Sequence, residues 1–353
     1  MLGQRLECRN LCVSGFGLLE LEFSGRGNDL KLILIAFFLF SSVAAVAQDH
    51  LGTIKALQVD CPAGRLEATR CYALEISCPD IPDYTAYVKI ISPSRPQGAI
   101  IFTTGGNGNY LYEKYEYGGV AVQEVVSSGY TAVQLTFGAP FSNGPGWQHY
   151  AGGKGVRAAS CRYATVAHWV YEQGAGRPLC ATGNSAGGQN ISEGLAHYGL
   201  GDYLTFAEIT SGPPFNRVDY ACIDNVPPAT EYCSGSDVGM GVGLGNATDF
   251  IDPAYPGPWC SSAAQNHSTL REQLFLSDSV TSPDAVLSYP NTKIRFLFGG
   301  QDTTSAIRQG MNYQSRIVQR TTYGCVQDAP HSLPTVLDGA QTIAADLVAN
   351  CHK

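Results

Sequence analysis

A chain of 353 residues with 44% hydrophobic and 15% charged residues is long enough for one large folded domain, and too apolar to stay disordered along most of its length. Its net charge of −8, with no cluster of Lys or Arg, argues against nucleic acid or an anionic membrane surface as partner.

Residues 31–47 read as a secretion signal. Lys31 supplies the positive start, Leu32 to Phe40 the apolar core, and Ala45-Val46-Ala47 the small-residue cleavage pattern. The apolar run is too short for a membrane span, and cleavage after Ala47 would leave Gln48 as the first residue. Residues 1–30 are then an upstream extension, with translation expected to begin near Leu30. Cys8 and Cys12 fall in that segment. The other cysteines, Cys61, Cys71, Cys78, Cys161, Cys180, Cys222, Cys233, Cys260, Cys325 and Cys351, are even in number, which in an exported chain predicts several disulfides. No CxxC pair occurs and the spacings do not fit a zinc site. A Cys325–Cys351 bridge is expected to tie the last strand region to the end of the last helix, with Cys180 a candidate for a buried free thiol.

Residues 66–102 hold three β-like runs, Cys71 to Cys78, Tyr84 to Ile91 and Gly98 to Thr103, separated by prolines. The first two alternate like antiparallel edge strands, whereas Ala99-Ile-Ile-Phe102 is continuously apolar, as suits a strand covered on both faces. Strands and helices then alternate: helix Val120 to Ser128, strand Tyr130 to Phe137, helix Val156 to Gln173, strand Pro178 to Thr182, helix Ala186 to His197 and strand Leu204 to Thr210. A Gly/Pro-rich loop at 138–153 carries Trp147 and His149. Such alternation predicts a parallel sheet with helices on both faces.

The pattern breaks at Ser211-Gly-Pro-Pro214. Residues 212–290 are too long for a plain loop and predict a disulfide-tied lid or insertion. Strand Lys293 to Phe298, helix Thr304 to Val318, strand Arg320 to Cys325 and helix Pro334 to Asn350 complete the pattern. The reading thus divides the chain into 1–47, a core of 48–211 with 291–353, and the insertion at 212–290. Asn190-Ile-Ser, Asn246-Ala-Thr and Asn266-His-Ser are glycosylation acceptors in a eukaryotic secretory host, with Asn190 the least suited because it begins a predicted buried helix.

Chemistry concentrates at Gly183-Asn-Ser185-Ala-Gly187. A strand turning sharply into a helix strains its turn residue and tolerates almost no side chain nearby, hence glycine two positions to either side. Ser185 would stand exposed at the strand tip beside a helix N-terminus, which favours developing negative charge. A serine nucleophile needs a base, and the base needs a carboxylate. In a parallel sheet these lie in loops after later strands. Asp302 follows the Ile294 to Phe298 strand, and His331 lies in the loop leading to the final helix. Glu208 and Asp219 are alternative acids, and His149 is the rival base. His168 and His197 sit on predicted helices. For the oxyanion, the Ala186 N–H follows from geometry, and the loop Thr104-Gly-Gly-Asn-Gly108 offers a second donor in Gly106, Gly105 or Asn107. That loop continues into neither GxxxxGK[ST] nor GxGxxG, so a phosphate-cradling role is disfavoured.

The elbow, the glycine loop, Asp302 and His331 together resemble the α/β-hydrolase superfamily over residues 66–350. The resemblance implies an α/β fold with a mostly parallel, eight-stranded sheet whose first strands are antiparallel, and hydrolysis of esters or related acyl groups. Two residues depart from common patterns: the glycine loop lacks the histidine of the HGGG type, and Asn184 stands where lipase and peptidase elbows carry His, Asp, Glu or Tyr. The expectation is a secreted serine esterase needing no cofactor or metal, acting on a small-molecule or polymer-linked ester. A peptidase or amidase on the same scaffold, or a catalytically silent secreted binding protein, are the alternatives. Trp147, Tyr150 and Trp259 are candidates to line the pocket.

Overall fold

The computed structural model describes residues 12–13, 16–17, 48–174, 177–223, 233, 248–263 and 268–352. The expected secretion signal, the start near Leu30, and the acceptors Asn246 and Asn266 lie outside them. Near the N-terminus, β1 (Cys12–Val13) and β2 (Phe16–Gly17) form an antiparallel pair of their own. Residues from Val46 onward form the second compact unit.

That unit is built on a nine-stranded sheet. Its strands are β3 (Thr53–Gln58), β4 (Arg70–Ser77), β5 (Tyr84–Ile91), β6 (Ala99–Thr103), β7 (Thr131–Phe137), β8 (Leu179–Asn184), β9 (Leu204–Thr210), β10 (Lys293–Gly299) and β11 (Thr322–Val326). The order is β11-β10-β9-β8-β6-β7-β5-β4-β3. The strands β6 to β11 run parallel, whereas β3, β4 and β5 add antiparallel pairings at one end. The sheet therefore has one strand more than the eight expected. The extra one, β3, is an edge strand exposed along nearly all its length, so it carries none of the burial signal by which strands are read.

Helices cover both faces. On one side α1 (Gly118–Ser127) and α8 (Leu337–Asn350) pack Val122, Val125, Ile343 and Leu347 onto Ile100, Phe102, Phe206 and Leu297. On the other, α2 (Gly155–Gln173) and α3 (Ala186–His197) pack Tyr163, Val166, Ile191 and Leu195 onto Ile101, Ala181, Ile209 and Phe296. Neighbouring residues of β6 thus feed opposite cores, which is why its sequence is continuously apolar. Asn190, 1% exposed, lies within α3. Among the described residues of 212–290 are the helices α4 (Val218–Ile223), α5 (Thr248–Ile251) and α6 (Thr269–Ser277). After β10 comes α7 (Ala306–Gln314). No described helix is long and apolar enough to cross a membrane.

Among the described residues, five disulfides join Cys61–Cys71, Cys78–Cys161, Cys180–Cys351, Cys222–Cys260 and Cys233–Cys325. The expected Cys325–Cys351 bridge and the free thiol at Cys180 are both incorrect. The helix α8 runs back across the sheet, so Cys351 at its C-terminal end meets Cys180 near the start of β8. Cys325 lies in the later half of β11, level with Phe298, and is taken by Cys233.

Candidate active site

The parallel strands end at one edge of the sheet, and each sequence-predicted site residue lies there. After Asn184 the chain turns into α3 with Ser185 at φ 55° and ψ −118°. Its N–H donates to Thr210 O at 2.8 Å and its carbonyl accepts the Gln189 N–H at 3.0 Å, so both neighbours of the bend hold it. The flanking glycines serve close approach. A Cβ on Gly183 would strike the Gly187 carbonyl, and one on Gly187 would come within 2.8 Å of Thr103 O.

Two further loops meet beside Ser185. The loop after β10 and the loop after β11 are laced together by Gly300 N–H to Val326 O at 2.8 Å and Gln301 N–H to Ala329 O at 2.9 Å. Gly299 permits this, since a Cβ there would collide with the Ala329 and Pro330 carbonyls. The lacing sets His331 Nδ1 2.9 Å from Asp302 Oδ2, and His331 Nε2 2.8 Å from Ser185 Oγ. Asp302 is fully buried and Ser185 is 7% exposed. The carboxylate accepts, so Nδ1 carries the proton and Nε2 is left to accept from the serine hydroxyl. Thr304 completes the group: its N–H donates to Asp302 Oδ1 at 2.8 Å, and its Oγ1 lies 3.1 Å from His331 Nδ1.

The rival residues lie elsewhere. Glu208 is buried within β9, where the Thr182 hydroxyl donates to it at 3.3 Å, and burial followed by nearby Asp346 pushes its carboxyl well up. Asp219 pairs with Arg217. His149 lies tilted beside the Tyr150 ring. His197, which burial holds down to about 4, sits in α3 beside Glu193 and Ser279 O. His168 edges onto the Tyr203 ring.

Of the expected oxyanion donors, the Ala186 N–H opens α3 and has no partner among the described residues. Gly105 is different: its N–H donates to Tyr115 Oη at 3.0 Å, while its Cα faces the elbow so closely that a Cβ would lie 3.1 Å from Ser185 Cβ. Gly106, at φ +58°, keeps an N–H without a partner among the described residues. Trp147 pins the same loop from outside, with Nε1–H donating to Gly106 O at 3.4 Å and its backbone N–H to Asn107 O at 3.1 Å. Trp147 is fully buried, so it supports the glycine loop and does not line a pocket. Tyr150 is 64% exposed and meets Tyr84. Trp259 stacks on Tyr255. Phe250, from α5, is the side chain seated against Gly106, its ring 3.2 Å from where a Cβ would stand. Tyr115, Thr304 and Phe250 went unread in the sequence. A tyrosine run at Tyr110-Leu-Tyr-Glu-Lys-Tyr115 directly after the glycine loop was the available signal for the first of them.

No protein-family model and no curated protein matches this chain. Among solved structures, a presumed hydrolase from Agrobacterium vitis S4 superposes with a TM-score of 0.51 at 10% identity, covering 85% of this chain and 100% of that one. The fold is that of the α/β-hydrolases. Est1E from Butyrivibrio proteoclasticus gives a TM-score of 0.46 at 10% identity over 79% of this chain and 98% of its own. Carboxyl esterase 2 from the mycorrhizal fungus Tuber melanosporum gives 0.45 at 16% identity over 86% and 91%. Within this fold, Ser185 stands at the turn from β8 into α3, and Asp302 and His331 follow the later strands β10 and β11.

Proposed function

We propose that this α/β-hydrolase-fold protein is a secreted serine hydrolase that cleaves carboxylic esters through an acyl-enzyme. The observation that carries the reading is the unbroken line of hydrogen bonds from Asp302 through His331 to Ser185, with the serine on a strained bend at the start of α3. In the proposed cycle, His331 Nε2 takes the Ser185 proton as Oγ bonds to the ester carbonyl carbon. The imidazolium then returns a proton to the departing alkoxide, releasing an alcohol and leaving the acyl group on Ser185. Water repeats the sequence and frees the acid. Asp302 holds the imidazole in its productive tautomer, and the N–H groups of Ala186 and Gly106 receive the developing oxyanion. Residues 212–290 act in this reading as the insertion that shapes the acyl pocket, with Phe250 as its contact on the glycine loop.

Export is the part of the reading supported by the disulfides, which persist in oxidising compartments. Intact mass of the native secreted protein is expected to begin at Gln48.

Hydrolysis of p-nitrophenyl acetate tests the chemistry. Ser185→Ala should lower kcat by about 10⁴-fold or more while circular dichroism stays unchanged. A Ser185→Ala protein as fast as wild type sinks the assignment. Failure of the wild type to label with a fluorophosphonate would point to a silent binding protein, and faster turnover of an amide than of its matched ester to a peptidase.

A further inference from the structure

Asn184 is the residue at which this elbow departs from the commoner ones, and its surroundings explain what an amide does there. It is the last residue of β8, immediately before Ser185, and fully buried. Its Oδ1 accepts the backbone N–H of Leu333 at 3.2 Å, from a residue 149 positions away in sequence. The Thr210 hydroxyl lies 3.4 Å from the same oxygen and 3.0 Å from Gly183 O. Leu333 stands two residues beyond His331 and is itself fully buried in the core beneath α8. One side chain thus joins the peptide that carries the nucleophile to the loop that carries the base.

We propose that Asn184 is a positioning residue that locks the His331 loop to the elbow. The inference rests on the serine-hydrolase reading above. Its physical basis is that the His331 Nε2 to Ser185 Oγ contact of 2.8 Å spans two loops grown from different strands. The lacing between the loops after β10 and β11 fixes His331 relative to Asp302, but that lacing contains no contact to β8. The Asn184–Leu333 bond supplies the missing coordinate. An acceptor is required because the Leu333 N–H is buried, and an unpaired buried amide costs about 1–3 kcal/mol. A neutral side chain is suited because a full charge at a buried position is costly. The other end of the amide, Nδ2, is buried without a partner among the described residues, 3.5 Å from the point a Cβ on Gly105 would occupy, so the side chain is enclosed between the elbow and the glycine loop.

The test compares Asn184→Asp, whose carboxyl, kept protonated by the cost of a buried charge, retains an oxygen for the Leu333 N–H, with Asn184→Leu, which has similar bulk and no acceptor. On p-nitrophenyl acetate, Asn184→Leu should lose about 10- to 100-fold in kcat, as an ångström-scale misplacement of a reacting group does, with KM within about threefold of wild type. Asn184→Asp should recover kcat to within about fivefold of wild type. A second readout does not depend on turnover. In protein labelled with ¹⁵N-histidine, the Nε2 nitrogen signal of His331, assigned by its disappearance in His331→Gln, should keep in Asn184→Asp the shift of a nitrogen accepting the Ser185 hydroxyl and move away from it in Asn184→Leu. An unchanged signal in Asn184→Leu overturns the proposal whatever its turnover, and so does an equal move in both variants. Should Asn184→Leu fail to fold, Asn184→Ser, too short to reach Leu333, replaces it under the same criteria. A wild type that hydrolyses no ester would sink the esterase reading, while the imidazole signal would still decide the role of Asn184.

Discussion

The three residues aligned at the site sit in three different settings: a strained backbone at Ser185, a fully buried carboxylate at Asp302 and an imidazole at His331 whose side chain is 22% exposed. What surrounds them is less symmetrical. The Gly105 and Gly106 amides are adjacent, yet one is consumed by Tyr115 Oη and the other is left open, with Trp147 gripping the peptide beyond. Replacing Trp147 by Phe keeps the buried ring and removes the bond to Gly106 O. We expect kcat to fall about tenfold, less than the 10²–10³-fold typical of deleting an oxyanion donor outright, with KM little changed. Steady-state kinetics on p-nitrophenyl acetate check this, and unchanged kcat would detach Trp147 from the site. Ser185, Asp302 and His331 were legible because each has a local signature: small flanking residues, or a titratable group at a predicted strand end. Tyr115, Thr304 and Phe250 act through ordinary hydrogen bonds and packing, and tyrosine, threonine and phenylalanine do that throughout proteins without a mark in sequence.

Among the elements, boundaries were legible wherever burial was strong. The strands β5 and β9 and the helix α3 fall at the residues read from periodicity. Two pieces were misplaced: the helix expected over Thr304 to Val318 is the shorter α7, Ala306–Gln314, and the exposed edge strand β3 went unread. One polar element was also invisible to pattern reading. Lys89 on β5 and Glu113 in the short 3₁₀ turn Tyr112–Lys114 are both fully buried and paired at 2.9 Å. Gln134 Nε2–H donates to Glu113 Oε2 at 2.8 Å, and Lys89 Nζ also donates to Leu66 O at 2.6 Å. This turn leads straight into Tyr115. Glu113→Ala would strand a buried ammonium and should destabilise the protein by about 3–5 kcal/mol in urea unfolding, whereas Lys89→Met combined with Glu113→Leu should recover most of that loss. A Glu113→Ala protein within about 1 kcal/mol of wild type would show the pair to be dispensable.

For the whole molecule, composition and alternation were enough to read an α/β core with two covered faces, while disulfide pairing was not, because it depends on where helices cross the sheet. Buried ionisable groups add a pH dependence that sequence also hides. Asp278, after α6, is 4% exposed and accepts the Tyr255 hydroxyl at 2.6 Å; burial pushes its carboxyl up to about 7. A folded pKa above the unfolded one means that the folded state holds its proton more tightly. Its stabilising contribution is therefore complete at acid pH and is lost as pH rises from the usual carboxylate range through about 7. His197, held down to about 4, acts in the opposite sense, losing stability as pH falls below its ordinary value, so it offsets part of the Asp278 effect in wild type and a variant at Asp278 isolates the latter. Between pH 6 and 7 the Asp278 contribution should fall by about 1 kcal/mol. In urea unfolding the stability of wild type relative to Asp278→Asn should decline by that amount over the interval; equal slopes would remove Asp278 as its source.

The Cys180–Cys351 bridge has a consequence for the order in which the parts of the molecule can be joined. It spans 171 positions and fastens the strand that delivers Ser185 to the C-terminal end of α8. A growing chain that has not yet reached Cys351 already possesses the elbow, Asp302 and His331, yet has no partner for Cys180. The covalent stitch through this central strand therefore follows the synthesis of every residue of the proposed centre.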